Sequence, residues 1–263
     1  MCLAVIALDA HPRYALVVAA NRDEFHARAA QRAQWWTDDG GCALLAGRDL
    51  SQGGTWLGIN RRARWAFVTN VREPGRNDPS APSRGALVPR VLRASGSSAD
   101  AVAKIAAQGG RYNGFNLVAG ESRSATFASN RGACARSLPR GISGLSNAGL
   151  DTPWPKLERA KAGVALWAAQ GADDIDSLFD VLNDRAVADD DALPDTGLPR
   201  QRERLLSAPF IVSGDYGTRC STLLTVDREG VVQFAERSFN AAGELTGDVV
   251  YRFRSESTLP ALG

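Results

Sequence analysis

The chain is poor in lysine, histidine and methionine, and each shortage narrows what it can be. Lysine occurs only at Lys104, Lys156 and Lys161, so arginine carries nearly all the positive charge. The 31 basic and 29 acidic residues leave a formal charge of +2 and are spread along the whole length. No basic run resembles a nucleic-acid footprint, so no nucleic-acid partner is expected. The arginine bias is a mild pre-adaptation for binding anions. Two histidines, His11 and His26, are too few for a His-rich metal site, and each is expected at the surface. The four cysteines, Cys2, Cys42, Cys134 and Cys220, form no C-x-x-C pair and no metal-ligand spacing, which fits a reduced, cytoplasmic setting without a metal. Nothing approaches the ~18 apolar residues of a membrane span, so no transmembrane segment is expected. The apolar start from Cys2 to Leu8 lacks a basic flank and meets Asp9 and Pro12 too soon for a signal peptide. The glycine-rich dinucleotide loop, the phosphate-loop lysine motif and the G-x-S-x-G elbow are all missing, and no cofactor is implied.

What is present is a core-forming pattern. The hydrophobic fraction of 44% over 263 residues suffices for one large domain spanning 1–263. Cys2 to Asp9 and Tyr14 to Asn21 read as a hairpin, followed by strands at Ala43 to Ala46, Trp56 to Ile59 and Arg64 to Asn70. Helical spacing appears in Arg84 to Ala94 and Ala99 to Ala107, with Ser97 or Ser98 able to cap the second. Strands return at Asn116 to Ala119 and Ala125 to Ala128. Pro155 to Ala169 and Asp174 to Leu182 read as helices, the first with proline where an opening turn tolerates it. Asp189 to Pro199 reads as an exposed, disordered loop. Arg219 to Val226, Val231 to Glu236 and Val249 to Phe253 are the last strands, with Gly230 and Gly243 in turns. Without regular βαβ alternation, this order predicts an α+β layered fold of mainly antiparallel sheets covered by helices.

Cys2 follows the initiator methionine directly, so removal of Met1 would leave one residue bearing both a thiol and a free α-amine. An α-amine titrates near ~8 and a thiol near ~8.5, so the amine can take the thiol proton without a histidine. A cysteine opening an apolar strand also packs as a small hydrophobe, and position alone leaves both readings open. At the end of the second strand stands Asn21-Arg22-Asp23-Glu24, where alternation puts Asn21 and Asp23 on one face and Arg22 and Glu24 on the other. A carboxylate or amide there could orient the amine, and an arginine could stabilise a thiolate or bind an anion. Gly53-Gly54-Thr55-Trp56 allows positive φ or close backbone approach. Asn70, Asn113, Asn116 and Asn147 sit at strand ends or in loops, where an amide can serve a developing oxyanion or simply build a turn. Arg219, opening an apolar strand, should face a carboxylate, a ligand anion or water.

Taken together, Asn21 to Glu24, Ala46 to Gly58, Tyr112 to Leu117, Gly144 to Lys156 and Tyr216 to Thr222 resemble the NRDE family, also called the transport and Golgi organisation protein 2 family. That family is similar in turn to the cysteine N-terminal nucleophile hydrolases. The resemblance implies an αββα four-layer sandwich, two mainly antiparallel sheets between helical layers. It implies Cys2 as nucleophile, with Asp23, Asn70, Asn147 and Arg219 completing the catalytic set. Asn21, Arg22, Glu24, Trp56, Asn113 and Asn116 are the accompanying binding candidates. The hydrolases place an arginine three residues before the aspartate, whereas here Ala20 holds that spacing and Arg22 immediately precedes Asp23. Two functions are implied: cleavage of an acyl amide or acyl thioester through Cys2, or non-catalytic binding and trafficking of haem or of a lipid or acyl-CoA. In either case the partner is a small molecule.

Overall fold

In a computed structural model, residues 3–37, 41–121 and 123–256 are described. Met1 and Cys2 lie outside them. Thirteen strands among these residues form two sheets in which every pairing is antiparallel. The first sheet is built on the hairpin of β1 (Leu3–Leu8) and β2 (Tyr14–Phe25). β10 (Gly141–Leu145) flanks β1, while β11 (Tyr216–Asp227), β12 (Val231–Phe239) and β13 (Leu245–Arg254) extend it beyond β2. The second sheet runs β3 (Ala30–Thr37), β4 (Ala43–Asp49), β5 (Leu57–Asn60), β6 (Arg64–Asn70), β7 (Phe115–Glu121), β8 (Ser124–Ser129) and β9 (Ala133–Ser137) in chain order.

Alternation along each strand builds three cores. Even positions of β1 and β2, including Ile6, Leu16 and Val18, meet Trp65, Phe67 and Val118 of the second sheet. Odd positions, including Val5, Val17 and Ala19, pack under α3 (Pro155–Gln170) and α4 (Ser177–Leu182) through Val164, Trp167 and Phe179. The far face of the second sheet, with Ala66 and Leu117, is covered by α1 (Leu87–Arg93) and α2 (Ser98–Ala107) through Leu87, Val88, Val102 and Ile105. These are the four layers of an αββα sandwich. Both faces of β1 are covered, which is why all six of its residues are apolar and buried.

The structure departs from the sequence reading in several places. β2 continues four residues past Asn21, so the charged cluster lies within a paired strand. β3, β9, β10 and α5 (Arg200–Leu205) have no counterpart in the predicted elements. The second helix is capped by Ser97, whose hydroxyl accepts from the Asp100 amide. The acidic segment is ordered: Asp190–Ala192 forms a 3-10 turn, and Asp190 is paired with Arg200 and Arg204. His11 is buried, stacked on Trp167 with ring centroids 4.4 Å apart, and its Nδ1 accepts from the Tyr14 amide. A neutral imidazole serves as turn acceptor and aromatic filler there, so its environment is not the expected surface. No helix of the described residues is long and apolar enough to cross a membrane.

Candidate functional site

The register of the first sheet sets the site. Leu3, bonded directly to Cys2, is paired with Asn21. β2 and β11 stay paired past that point, with Asp23 opposite Thr218 and Arg22 opposite Cys220, and the intervening Arg219 makes a register shift. Such a bulge re-aims side chains at a strand end.

The two faces of Asn21 to Glu24 diverge as alternation requires. Asn21 is fully occupied on the helix side: its Nδ2 donates to the carbonyls of Leu182 (2.8 Å) and Pro209 (2.9 Å), and its Oδ1 accepts from Ser221 Oγ at 2.6 Å. Asp23 is buried on the same side, and its Oδ1 accepts from Thr218 Oγ1 at 2.7 Å. Arg22 points between the sheets, 4% exposed, with its guanidinium 4.4 Å above the Trp56 ring and Nη2 3.8 Å from Glu24 Oε2. Among the described residues its buried Nη1 has no hydrogen-bond partner.

The Arg22–Trp56 stack divides two cavities. The larger, about 220 Å³, is lined by Arg22, Glu24, Arg28, Thr55, Trp56, Asn70, Arg84 and Asn113 among others. Its wall depends on the paired glycines. Gly53 has φ +72°, and a Cβ on Gly54 would lie 2.4 Å from the Gly85 carbonyl carbon, so only glycine lets these two backbones meet. Charges here are largely answered locally: Arg28 Nη2 lies 2.7 Å from Asp49 Oδ2, and Arg84 Nη1 donates to the Gly114 carbonyl at 3.0 Å. Asn113 clamps Asp78, donating to its carbonyl and accepting from its amide, both at 2.8 Å. Asn70 lines the cavity, and its side-chain amide makes no hydrogen bond among the described residues. Asn147 supports it from behind, Nδ2 donating to the Asn70 carbonyl at 2.9 Å while the Asn147 carbonyl accepts from the Arg72 amide at 2.7 Å. Asn116 is a further support, donating to Thr69 Oγ1 (3.2 Å) and to the Ala148 carbonyl (2.7 Å).

The second cavity, about 210 Å³, lies toward β12 and is lined by Arg22, Arg32, Trp56, Arg219, Cys220 and Glu236 among others. Arg219 faces neither a carboxylate nor water alone: its Nη1 donates to the carbonyls of Phe25, His26 and Arg28 at 3.0–3.2 Å. Burial and the charge of Arg22 both hold its guanidinium below the usual arginine value. Glu236, 1% exposed, accepts from the Ala33 amide at 2.7 Å. Burial pushes its carboxyl up to about 7, against hydrogen bonds from Ala33, Cys220 and Thr222 and the charge of Arg22. Burial and that carboxyl together raise the Cys220 thiol well above its ordinary value, so it is held protonated.

The structure thus brings Arg22, Glu24, Trp56, Asn70 and Asn113 to one cavity and Arg22, Trp56 and Arg219 to the next. Asn21, Asp23, Asn116 and Asn147 stand behind them as supports, and Cys2 lies outside the described residues. Glu236 was missed in the sequence, although it shares alternation with Val232 and Phe234, which assigns it to their inward face. Among the described residues no group of histidine, cysteine and acidic side chains could hold a metal ion.

Comparison with known proteins places the chain. Residues 1–241 match the family model described as transport and Golgi organisation 2. The human transport and Golgi organization protein 2 homolog is 36% identical over 260 residues, covering 90% of this chain and 93% of that one. The mouse homolog is 35% identical with the same coverage, and the Drosophila melanogaster protein is 28% identical over 266 residues, covering 90% and 92%. Among solved structures, the Caenorhabditis elegans ortholog of N-acylethanolamine-hydrolyzing acid amidase superposes with a TM-score of 0.49 at 11% identity, covering 85% of this chain and 92% of that one. With its family motifs spaced along the sequence and full-length relatives above 30% identity, the chain belongs to the transport and Golgi organisation 2 family.

Proposed function

We propose that the protein hydrolyses an amide or thioester of an acyl-type small molecule, with Cys2 as nucleophile after removal of Met1. The observation that carries this reading is the pairing of Leu3 with Asn21: one peptide bond separates Cys2 from Leu3, whose partner Asn21 is followed directly by Arg22. A nucleophile joined to Leu3 by that one bond would act beside the Arg22–Trp56 stack. The α-amine takes the thiol proton, the thiolate attacks the acyl carbonyl, and the ammonium returns the proton to the departing amine or thiol. Water then releases the acyl group from the thioester by the same route. Asn70, which lines the first cavity with an amide unbonded among the described residues, is the donor for the oxyanion, a role worth about 3–4 kcal/mol in comparable sites. Asn147 positions Asn70 through its backbone carbonyl, and Asp23 and Arg219 fix the end of β2 that carries Arg22 against the bulge in β11.

The test combines intact mass with turnover. Active protein is expected to begin at Cys2, and Cys2→Ser is expected to lose hydrolysis of acyl-amide and acyl-thioester panels while keeping its fold. Turnover by protein that retains Met1, or turnover unchanged in Cys2→Ser, refutes the nucleophile.

A further inference from the structure

We infer that the cavity between the Arg22–Trp56 stack and β12 is an oxyanion subsite, built to hold a phosphate or carboxylate group of a ligand. This site does not depend on hydrolysis by Cys2 and stands whether or not the protein turns over a substrate.

Charge accounting separates this cavity from its neighbour. Three arginines, Arg22, Arg32 and Arg219, line it against one carboxyl, that of Glu236. In the first cavity Arg22, Arg28 and Arg84 are matched by Glu24, Asp49 and Asp78. None of the second cavity's arginines is paired with Glu236. Among the described residues the only carboxylate within 4 Å of the Arg22 guanidinium is that of Glu24, while Arg32 and Arg219 make no ion pair and donate to backbone carbonyls. Two of the three also carry a buried nitrogen without a partner among the described residues, Nη1 of Arg22 and Nε of Arg219. A buried donor left unanswered is costly, and a guanidinium fork answers an oxyanion in two parallel hydrogen bonds. Ser238 adds a hydroxyl to the lining, and the volume of about 210 Å³ accommodates an anionic group with the start of its attached chain.

Glu236 sets the charge of the pocket. It faces Arg22 of β2, Cys220 and Thr222 of β11 and the Ala33 amide of β3, while Arg219 and Arg32 share its cavity. With its carboxyl at about 7 and the Cys220 thiol protonated, the pocket presents three cations and no anion in mild acid. Above neutrality the carboxylate competes with an entering anion for Arg22.

The experiment is calorimetric titration of the full chain with sulfate, whose charge is fixed between pH 6 and 8. Saturable binding at pH 6 is expected, weakening about tenfold by pH 8 as one carboxylate appears a few ångströms from the anion. Glu236→Gln is expected to bind sulfate equally at both values, and Arg219→Gln, if folded by circular dichroism, to bind about tenfold more weakly. Should Arg219→Gln fail to fold, the comparison of wild type with Glu236→Gln decides. Parallel titrations at pH 6 with inorganic phosphate and with acetate tell a phosphate-bearing ligand from a carboxylate-bearing one by which binds tighter. Absence of saturable sulfate binding, affinity unchanged in folded Arg219→Gln, or the same pH response in wild type and Glu236→Gln overturns the inference.

Discussion

Glu236→Gln probes the buried carboxyl through folding stability as well as through ligand binding. The folded protein holds this carboxyl at about 7, above its ordinary value of 4.5, so between those limits the folded state keeps a proton that the unfolded chain has released. Stability therefore falls as pH rises through this window, because the unfolded state binds fewer protons. Each pH unit is worth about 1.4 kcal/mol, so the full crossing removes about 3 kcal/mol by pH 8. Glutamine keeps the acceptor for the Ala33 amide and offers an N–H where the protonated acid offers its O–H, and it cannot ionise. Urea denaturation of both proteins at half-unit steps from pH 5 to 8 isolates the effect, since every other titrating group cancels in the difference. Glu236→Gln is expected to gain on wild type progressively, by about 2.5 kcal/mol over the range, with most of the change below pH 7. Parallel stability curves would show that the carboxyl is not held protonated and would refute the electrostatic account of the second cavity.

Two further substitutions test the scaffold. Asn21→Ala leaves the Leu182 and Pro209 carbonyls and the Ser221 hydroxyl without their partner in the interior, and is expected to cost about 3 kcal/mol in denaturation midpoints; a cost under about 1 kcal/mol would show that water replaces the amide. Gly54→Ala drives a methyl into the Gly85 backbone and is expected to cost about 2 kcal/mol or more, with ligand binding at the first cavity weakened. The same substitution at Gly53, which has positive φ and open space around it, carries only conformational strain and is the control; equal effects at the two glycines would contradict the close approach.

The sequence by itself determined the layered architecture, because covered strands must be apolar and exposed helix faces must not. β6 matches its predicted bounds, and α2 and α3 match theirs to within one residue, each having strong periodicity and a clear cap or proline. Alternation likewise divided Asn21 and Asp23 from Arg22 and Glu24, as the hydrogen bonds of Asn21 and Asp23 and the stacking of Arg22 bear out. β3 and β10 were invisible for a physical reason: they are edge strands with short, broken apolar patterns, β3 half polar and β10 mostly glycine and serine, held by backbone pairing and by contacts such as the Ala33 amide with Glu236. Which polar groups line the cavities and which hold the frame was decided only by tertiary structure. Asn70 and Asn147 look alike in sequence, yet one lines a cavity with its amide unbonded among the described residues and the other spends its amide on the first one's carbonyl. Glu236 and Arg219 acquire their character from partners more than ten residues away in sequence, which bury a carboxyl, bulge a strand and set the charge between two sheets. Local pattern fixes which face a side chain takes; what it meets there depends on strands that sequence order does not place side by side.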